Sequence, residues 1–455
     1  MAARGEFSSK TAFILAASGS AIGLGNIWGF PIKVASNGGG AFVFAYIILT
    51  FLLAYPVLMA ELVIGRHSKS DVLQSLKLIS SKNARPLAYV TAYWAILTAA
   101  LILSFYAIVA GWMISNGLAP LADMVSQDNA AAFLRDSSVS RDLIFCTIFY
   151  ALTIYIVMNG VVKGIEKWST RLMPILILLI ISLIVYISTL PGAAQGWSIY
   201  LTPDFSRLLN TSLLIDALGQ AFFSLSLGVG TMLIYGSYVN KSENLPKLAS
   251  GVALMDIGIA FLAGLLVIPA MYVALENGVA IYDDSGSLID GGRLIFSVLP
   301  GLFNSMGAFG TVVAFVFFLL MTLAALTSSI SMLEVPVSYV CETHKLSRKK
   351  ATLSVGVSIL LISYVIIFSS PLLFDHVVTF TTEFSEPIIG ILFCVFVGWV
   401  WQRNHLLNEL KQGYPLIEQG LFWKIWPYYV RFVCPVVVLI ILWRDLLILW
   451  RSLLS

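Results

Sequence analysis

Asp256 is the residue that most demands a chemical reading. It stands in SGVALMDIGIAFLAG, residues 250–264, nine positions past Lys247 in an otherwise apolar run. At helical rise that is about 14 Å into the run. An ionisable group at such depth in hydrocarbon is strongly disfavoured unless it works, so Asp256 is a functional candidate. The alternative is a carboxylate held by hydrogen bonds from a neighbouring helix. Two further oxygen-rich places share its apolar setting. Asn26 lies in SGSAIGLGNIWGFP, residues 18–31, and Thr327 and Ser328 are adjacent in LTSSIS, residues 326–331. Taken alone, such hydroxyls back-bond to carbonyls one turn earlier. Nitrogen and sulfur chemistry finds no comparable grouping. Cys146, Cys341, Cys394 and Cys434 are scattered without CxxC spacing, and no two of the four histidines sit at helical ligand spacing. A transition-metal site or disulfide framework is not expected, and no nucleophile-elbow, Walker or HExxH motif appears.

The elements that must position these oxygens are membrane spans. Of the 455 residues 59% are hydrophobic and 11% charged, against roughly 25% charged in soluble domains. About eleven apolar runs are long enough to cross the hydrocarbon core, near 11–35, 40–65, 87–118, 142–160, 168–190, 212–239, 247–275, 307–341, 350–369, 377–401 and 428–450. The first run carries Gly19, Gly23, Gly25, Asn26 and Pro31, and the sixth carries FFSLSLGVGTM at 222–232. Gly19 and Gly23 form a GxxxG, which by itself marks close helix packing. Paired glycine-interrupted spans at the start of two five-helix halves point instead to an inverted repeat with a midplane site. Non-helical backbone is tolerated there only where protein buries it or a cavity lines it. The breaks free carbonyls and N–H groups as ligands for something charged.

Charge placement orients the chain. Lys and Arg gather in the segments that would be cytoplasmic if the N-terminus is inside, among them Arg66, Lys69, Lys163, Lys167 and Lys345 to Lys350. The opposite loops hold mostly Asp and Glu. This is the positive-inside pattern, and an odd span count then puts the C-terminus outside. The opening run lacks a small-residue cleavage site and is expected to be retained.

At these residues the chain resembles the neurotransmitter:sodium symporter family. GSAIGLGNIWGFP, with NGGGAF at 37–42, resembles the opening segment of its members. GQAFFSLSLGVG at 219–230 and LTSSIS resemble their sixth and eighth helices, and VKGIEKWS at 162–169 and TPDFSRL at 202–208 resemble two connecting segments. The likeness runs from Arg4 to the last helix. It implies an all-α polytopic membrane protein with the LeuT-type five-plus-five inverted repeat, residues 1–190 and 191–401 forming the repeats. Residues 402–455 would be a cytoplasmic loop and an eleventh helix, where members usually have twelve. It also implies a transporter rather than an enzyme, multi-pass in a bacterial inner membrane, taking up an amino acid with two sodium ions. The alternatives are a sensor on the same fold and another sodium- or proton-coupled family of this architecture.

The resemblance assigns roles residue by residue. One sodium would be held by the Ala21 carbonyl, Asn26, Ser224, Asp256 and the substrate carboxylate. The other would be held by the carbonyls of Gly19, Ile22 and Ala324 with the hydroxyls of Thr327 and Ser328. The substrate would lie among Ala21, Gly23, Gly25, Ile102, Tyr106, Phe223, Ser226, Val229, Ser328 and Met332, with Tyr106 and Phe223 as an aromatic lid. Monoamine members carry an aspartate where this chain has Gly23, so a substrate with its own carboxylate is expected. Val229 replaces a bulkier phenylalanine found elsewhere in the family, and the expected substrate is a neutral, hydrophobic L-amino acid.

The gates and the chloride site carry further expectations. Arg4 and Glu342 match the pair that closes the inner pathway, with Tyr238 nearby. At the outer side Gly29 stands where the family has an arginine, and register from Gly390 puts Val378 at the acid that pairs with it. Losing both is less unfavourable than losing one, so outer closure is expected to rest on Tyr106, Phe223 and apolar surface. Asp256 stands where the family has an asparagine, and Ala260 replaces a chloride-binding serine. Chloride-independent transport is expected, with Tyr46, Gln220 and Ser224 as hydrogen-bond partners of Asp256, and with a proton taken up by Asp256 on the return step.

Overall fold

A computed structural model describes residues 5–281, 294–369 and 371–454. Among the described residues the secondary structure is helical throughout, with no strand. Nine unbroken helices are long and apolar enough to cross a membrane: Gly40–Ser68, Lys82–Met124, Val139–Met158, Val161–Ser188, Leu245–Glu276, Phe309–Thr343, Arg348–Ser369, Leu372–Val400 and Leu421–Arg444. Two broken helices add to them. Lys10–Ala21 and Gly25–Ser36 form one span bent by 61°. Thr211–Ser224 and Thr231–Ser237 form another, interrupted over Leu225–Gly230. Counted in chain order with those nine, these are the first and sixth of the long helical elements among the described residues.

The ends of these elements follow from local sequence. Ser9 caps the first half-helix, its hydroxyl accepting from the Ala12 N–H at 3.1 Å, the usual way of satisfying a free first-turn donor. Asn244 does the same for the seventh span through the Lys247 N–H. The sixth span breaks because its backbone turns left-handed, at Ser226 (φ 51°), Gly228 (φ 79°) and Gly230 (φ 82°). At Gly228 no other residue fits, since a Cβ would lie 2.0 Å from the Glu386 carbonyl oxygen.

The core is one continuous apolar cluster around the two breaks. Ala17, Ile22 and Ile27 of the first span are fully buried, as are Leu225 and Leu227 of the second break. Residues such as Leu97, Leu178 and Val365 stay exposed on the outside, where lipid rather than water would solvate them.

Candidate functional site

The two breaks leave backbone groups that must find partners in an apolar interior. Side chains from three other spans, and from the sixth itself, supply them. Ser328 of the eighth span lies 3.4 Å from the Gly19 carbonyl and 3.2 Å from that of Ile22, donating across the gap. Tyr106 of the third span accepts the Leu24 N–H at 3.1 Å. Gln220 of the sixth donates to the Gly25 carbonyl at 2.9 Å. In the second half, the Glu61 carboxylate accepts the Gly228 N–H at 2.7 Å, and Ser226 donates to the Ser20 carbonyl at 3.2 Å.

Beside the first break stands a dense polar knot. Asp256 has no exposed surface. Its two carboxylate oxygens accept from Asn26 Nδ2 at 2.7 Å, Ser224 Oγ at 2.6 Å and the Tyr46 hydroxyl at 3.0 Å. Asn26 Nδ2 also lies 2.8 Å from Ser224 Oγ. Three of the four residues expected at one sodium site are thus in mutual contact, and Ala21 ends the half-helix that leads to them. Sodium is a hard cation served by oxygen ligands, and the knot offers those of Asp256, Ser224 and Tyr46. Asn26 turns its amide nitrogen to the first two and its Oδ1 to the Gly23 N–H at 3.4 Å.

The second expected set also converges. Ser328 reaches Gly19 and Ile22 across the gap, and Thr327 Cβ would meet a Cβ at Gly19 at 3.3 Å. The Thr327 hydroxyl itself donates back to Ala324 at 3.0 Å and Leu323 at 3.3 Å, the back-bonded arrangement common for hydroxyls in helices. Ala324 is buried one turn below.

Close approach explains the glycines between the two sets. A Cβ at Gly23 would lie 2.6 Å from the Tyr106 hydroxyl and 2.7 Å from Ser328 Oγ, and one at Gly25 would lie 2.7 Å from the Phe223 ring. Gly23, Gly25, Tyr106, Phe223 and Ser328 therefore share one small space. Ile102, Val229 and Met332 are buried in the surrounding core. Phe223 stays 36% exposed, facing an outer cavity.

The structure corrects two expectations. Gln220 does not belong to the Asp256 knot, because its amide is engaged by the Gly25 carbonyl. The outer side is not free of charge. Gly29 and Val378 do line the outer cavity, but so do Lys33, Asp216 and Arg444, with Asp216 2.7 Å from Arg444 and 3.8 Å from Lys33. On the inner side, the acid that receives the Tyr238 hydroxyl is Glu334. Glu342 accepts the Asp71 N–H at 2.9 Å and the Ser70 hydroxyl. Arg4 lies outside the described residues.

Glu61, Glu334 and Glu386, all buried, are acids within the spans that the sequence reading passed over. The signal was present: each is an acid inside an apolar span, the same argument that singled out Asp256.

Known proteins resemble the whole of this arrangement. The crystal structure of MhsT in complex with L-phenylalanine matches with a TM-score of 0.80 and 34% identity, over 96% of this chain and 99% of that one. The likeness gives the chain the LeuT-type fold. The sodium-dependent transporter YhdH of Bacillus subtilis, itself uncharacterized, is 33% identical over 96% of each chain. The sodium-dependent serotonin transporter of Drosophila melanogaster is 27% identical over 96% of this chain and 76% of its own length. With residues 4–130 and 134–452 also matched by that family's model, the chain belongs to the sodium:neurotransmitter symporter family, whose members carry out sodium-coupled transport.

Proposed function

We propose that the protein takes up a neutral, hydrophobic L-amino acid together with two sodium ions, without chloride. The observation that carries the reading is the buried Asp256 knot with Asn26, Ser224 and Tyr46 beside a broken helix. A sodium ion among these oxygens would neutralise Asp256, and the carboxylate would supply the fixed charge that an anion supplies in chloride-dependent relatives. Ala260, buried one turn on, offers no anion ligand. The second ion would sit among the Gly19, Ile22 and Ala324 carbonyls, with Thr327 and Ser328 turning toward it.

The substrate carboxylate would meet the partial positive charge of the half-helix starting at Gly25, and complete the first sodium site. Its side chain would rest among Ile102, Val229, Met332 and the rings of Tyr106 and Phe223. The similar MhsT was crystallised with L-phenylalanine, and Val229 leaves room for a large side chain. Two ions falling through 100 mV and a tenfold gradient would supply about 7.4 kcal/mol. That is ample to concentrate a neutral solute.

Residues 1–190 and 191–401 would form the inverted repeats, with the N-terminus in the cytoplasm and the chain in a bacterial inner membrane. As the site empties, Asp256 would take up a proton to replace its cation.

Uptake of labelled leucine or phenylalanine into proteoliposomes tests the reading. Accumulation should need an inward sodium gradient, carry net positive charge inward and persist with gluconate in place of chloride. Asp256→Asn should lose chloride-free uptake. A strong chloride requirement in the wild-type protein, electroneutral uptake, or binding without accumulation would each overturn it, the last in favour of a sensor.

A further inference from the structure

The outer cavity has two walls and a charged tie between them. It encloses about 360 Å³. One wall is made by the outer halves of the first and sixth spans, with Gly29, Lys33, Asp216 and Phe223. The other is made by the tenth and eleventh spans, with Val378 and Arg444 among its residues. Arg444 Nη1 reaches Asp216 Oδ1 at 2.7 Å, so the ion pair runs from one wall to the other. Lys33 adds a second cation 3.8 Å from the same oxygen. Both partners are half-sheltered, the Arg444 side chain 27% and Asp216 16% exposed.

We infer that Arg444, acting through Asp216, supplies the charged closure of the outer pathway in this protein. The inference rests on the transport reading above, in which the cavity must close over the substrate. The positions from which closing charges would be expected, Gly29 and Val378, carry none, yet they line the same space. Arg444 and Asp216 fill that role from different elements. A guanidinium and a carboxylate attract weakly in water and more strongly as water leaves. Narrowing the cavity therefore strengthens the tie, and the pair favours the closed form. Lys33 adds its positive charge on the same wall as Asp216, 3.8 Å from its Oδ1. Arginine suits the task better than lysine, because its planar fork can keep one contact with Asp216 while the walls move.

Gly29→Cys gives a reporter thiol on the cavity wall, labelled in cells by a membrane-impermeant maleimide. In this parent, phenylalanine added with sodium should slow labelling at least tenfold relative to sodium alone. With Arg444→Gln or Asp216→Asn the protection should fall below threefold, while sodium-dependent phenylalanine binding in detergent stays within threefold of the parent. The charge swap Arg444→Asp with Asp216→Arg should restore more than half of the protection, and Arg444→Lys should keep part of it. Full protection in Arg444→Gln, or a swap no better than the single variants, would overturn the inference. A parent that binds no amino acid with sodium contradicts the transport reading itself, and shows this before any Arg444 variant is made.

Discussion

The two mouths of the pathway are built on opposite plans. The outer mouth is a cavity of about 360 Å³ with Phe223 in its lining and a charged tie between its walls. The inner mouth is filled and layered. Phe7 is buried there, its ring edge-on to Phe13, Tyr235 and Tyr238, and its N–H donates to the Tyr238 carbonyl at 3.1 Å. Ser8 is fastened to Glu166 by its N–H and hydroxyl, and Lys69 bridges Glu6 and the Val239 carbonyl, each at 2.6 Å. Deeper still, Arg348 clasps Glu334 with both nitrogens of its fork while also holding the Val157 carbonyl. With the N-terminus in the cytoplasm, as proposed, an open outer mouth over a sealed inner one would be the outward-facing arrangement of a carrier. It places the stronger polar cement on the side that must stay shut while cargo enters.

The largest effect that tests this contrast should come from Arg348→Met. Glu334 is fully buried, and removing its cation leaves a charge in the interior, a loss of about 3–5 kcal/mol for a well-buried pair. The partial exposure of Arg348 lowers that figure. Such a loss would still release the inner seal, and initial uptake, normalised to surface expression, should drop at least tenfold. Combining Arg348→Met with Glu334→Leu removes the orphan charge and should recover part of the loss. Uptake within twofold of wild type for the single variant would show that the inner seal rests on Phe7 and the apolar layer alone.

A middle-sized effect should appear as a pH dependence confined to the inner side. Burial, and then the facing Glu342 carboxylate, push Asp71 up to about 7. A raised acid stabilises the folded protein fully below its unfolded value of 3.8 and loses that contribution as pH rises through about 7. The thermal midpoint in detergent should therefore fall by a few degrees between pH 6 and 8. Asp71 also caps the helix Val72–Ile79, accepting from the Leu73 and Gln74 N–H groups. Asp71→Asn keeps an acceptor there and should flatten the slope. A slope of equal size in the Asn variant would assign it to another group. Glu409 works in the opposite sense: despite its burial, contacts from His67 and Arg66 hold it below the usual range, so its contribution is lost only on acidification.

The difference between the mouths also marks how far the sequence could be read. The meeting of Asp256 with Asn26 and Ser224 was implied by the family resemblance, while span positions, both helix breaks and the choice of Asp256 follow from runs of apolar residues, glycine placement and one intramembrane acid. Each of those signals is local. What escaped was pairing at a distance. Glu334 and Arg348 are separated by a helix end and a turn, and Asp216 and Arg444 by 228 positions. Chain order carries no record of which side chains the packing brings face to face. Glu61 and Glu386 were visible as acids in apolar spans, but nothing in their neighbourhoods says that one will hold the Gly228 N–H. Gln220 shows the reverse error, a residue of the right type one turn from the knot whose amide is taken by a freed carbonyl instead.

The smallest effect should belong to Gly29→Ala, and its smallness is informative. Glycines at the breaks are fixed by contact: at Gly228 an added methyl would collide with the Glu386 carbonyl, and at Gly25 with the Phe223 ring. Gly29 is different. Its nearest neighbours to an added Cβ are Gln220 Oε1 at 3.8 Å and the Leu24 carbonyl at 4.0 Å, ordinary contact distances. Its backbone is also ordinary helical, with φ −61° and ψ −47°, a conformation in which alanine is the better residue by roughly 1 kcal/mol. The outer cavity leaves room for a methyl group at Gly29 that the helix breaks do not leave at Gly228 or Gly25. Uptake by Gly29→Ala should therefore stay within twofold of wild type, with the thermal midpoint unchanged or slightly raised. A loss of tenfold or more would mean that the cavity closes onto Gly29 itself. Backbone contact, and not the Arg444–Asp216 tie, would then seal the outer side.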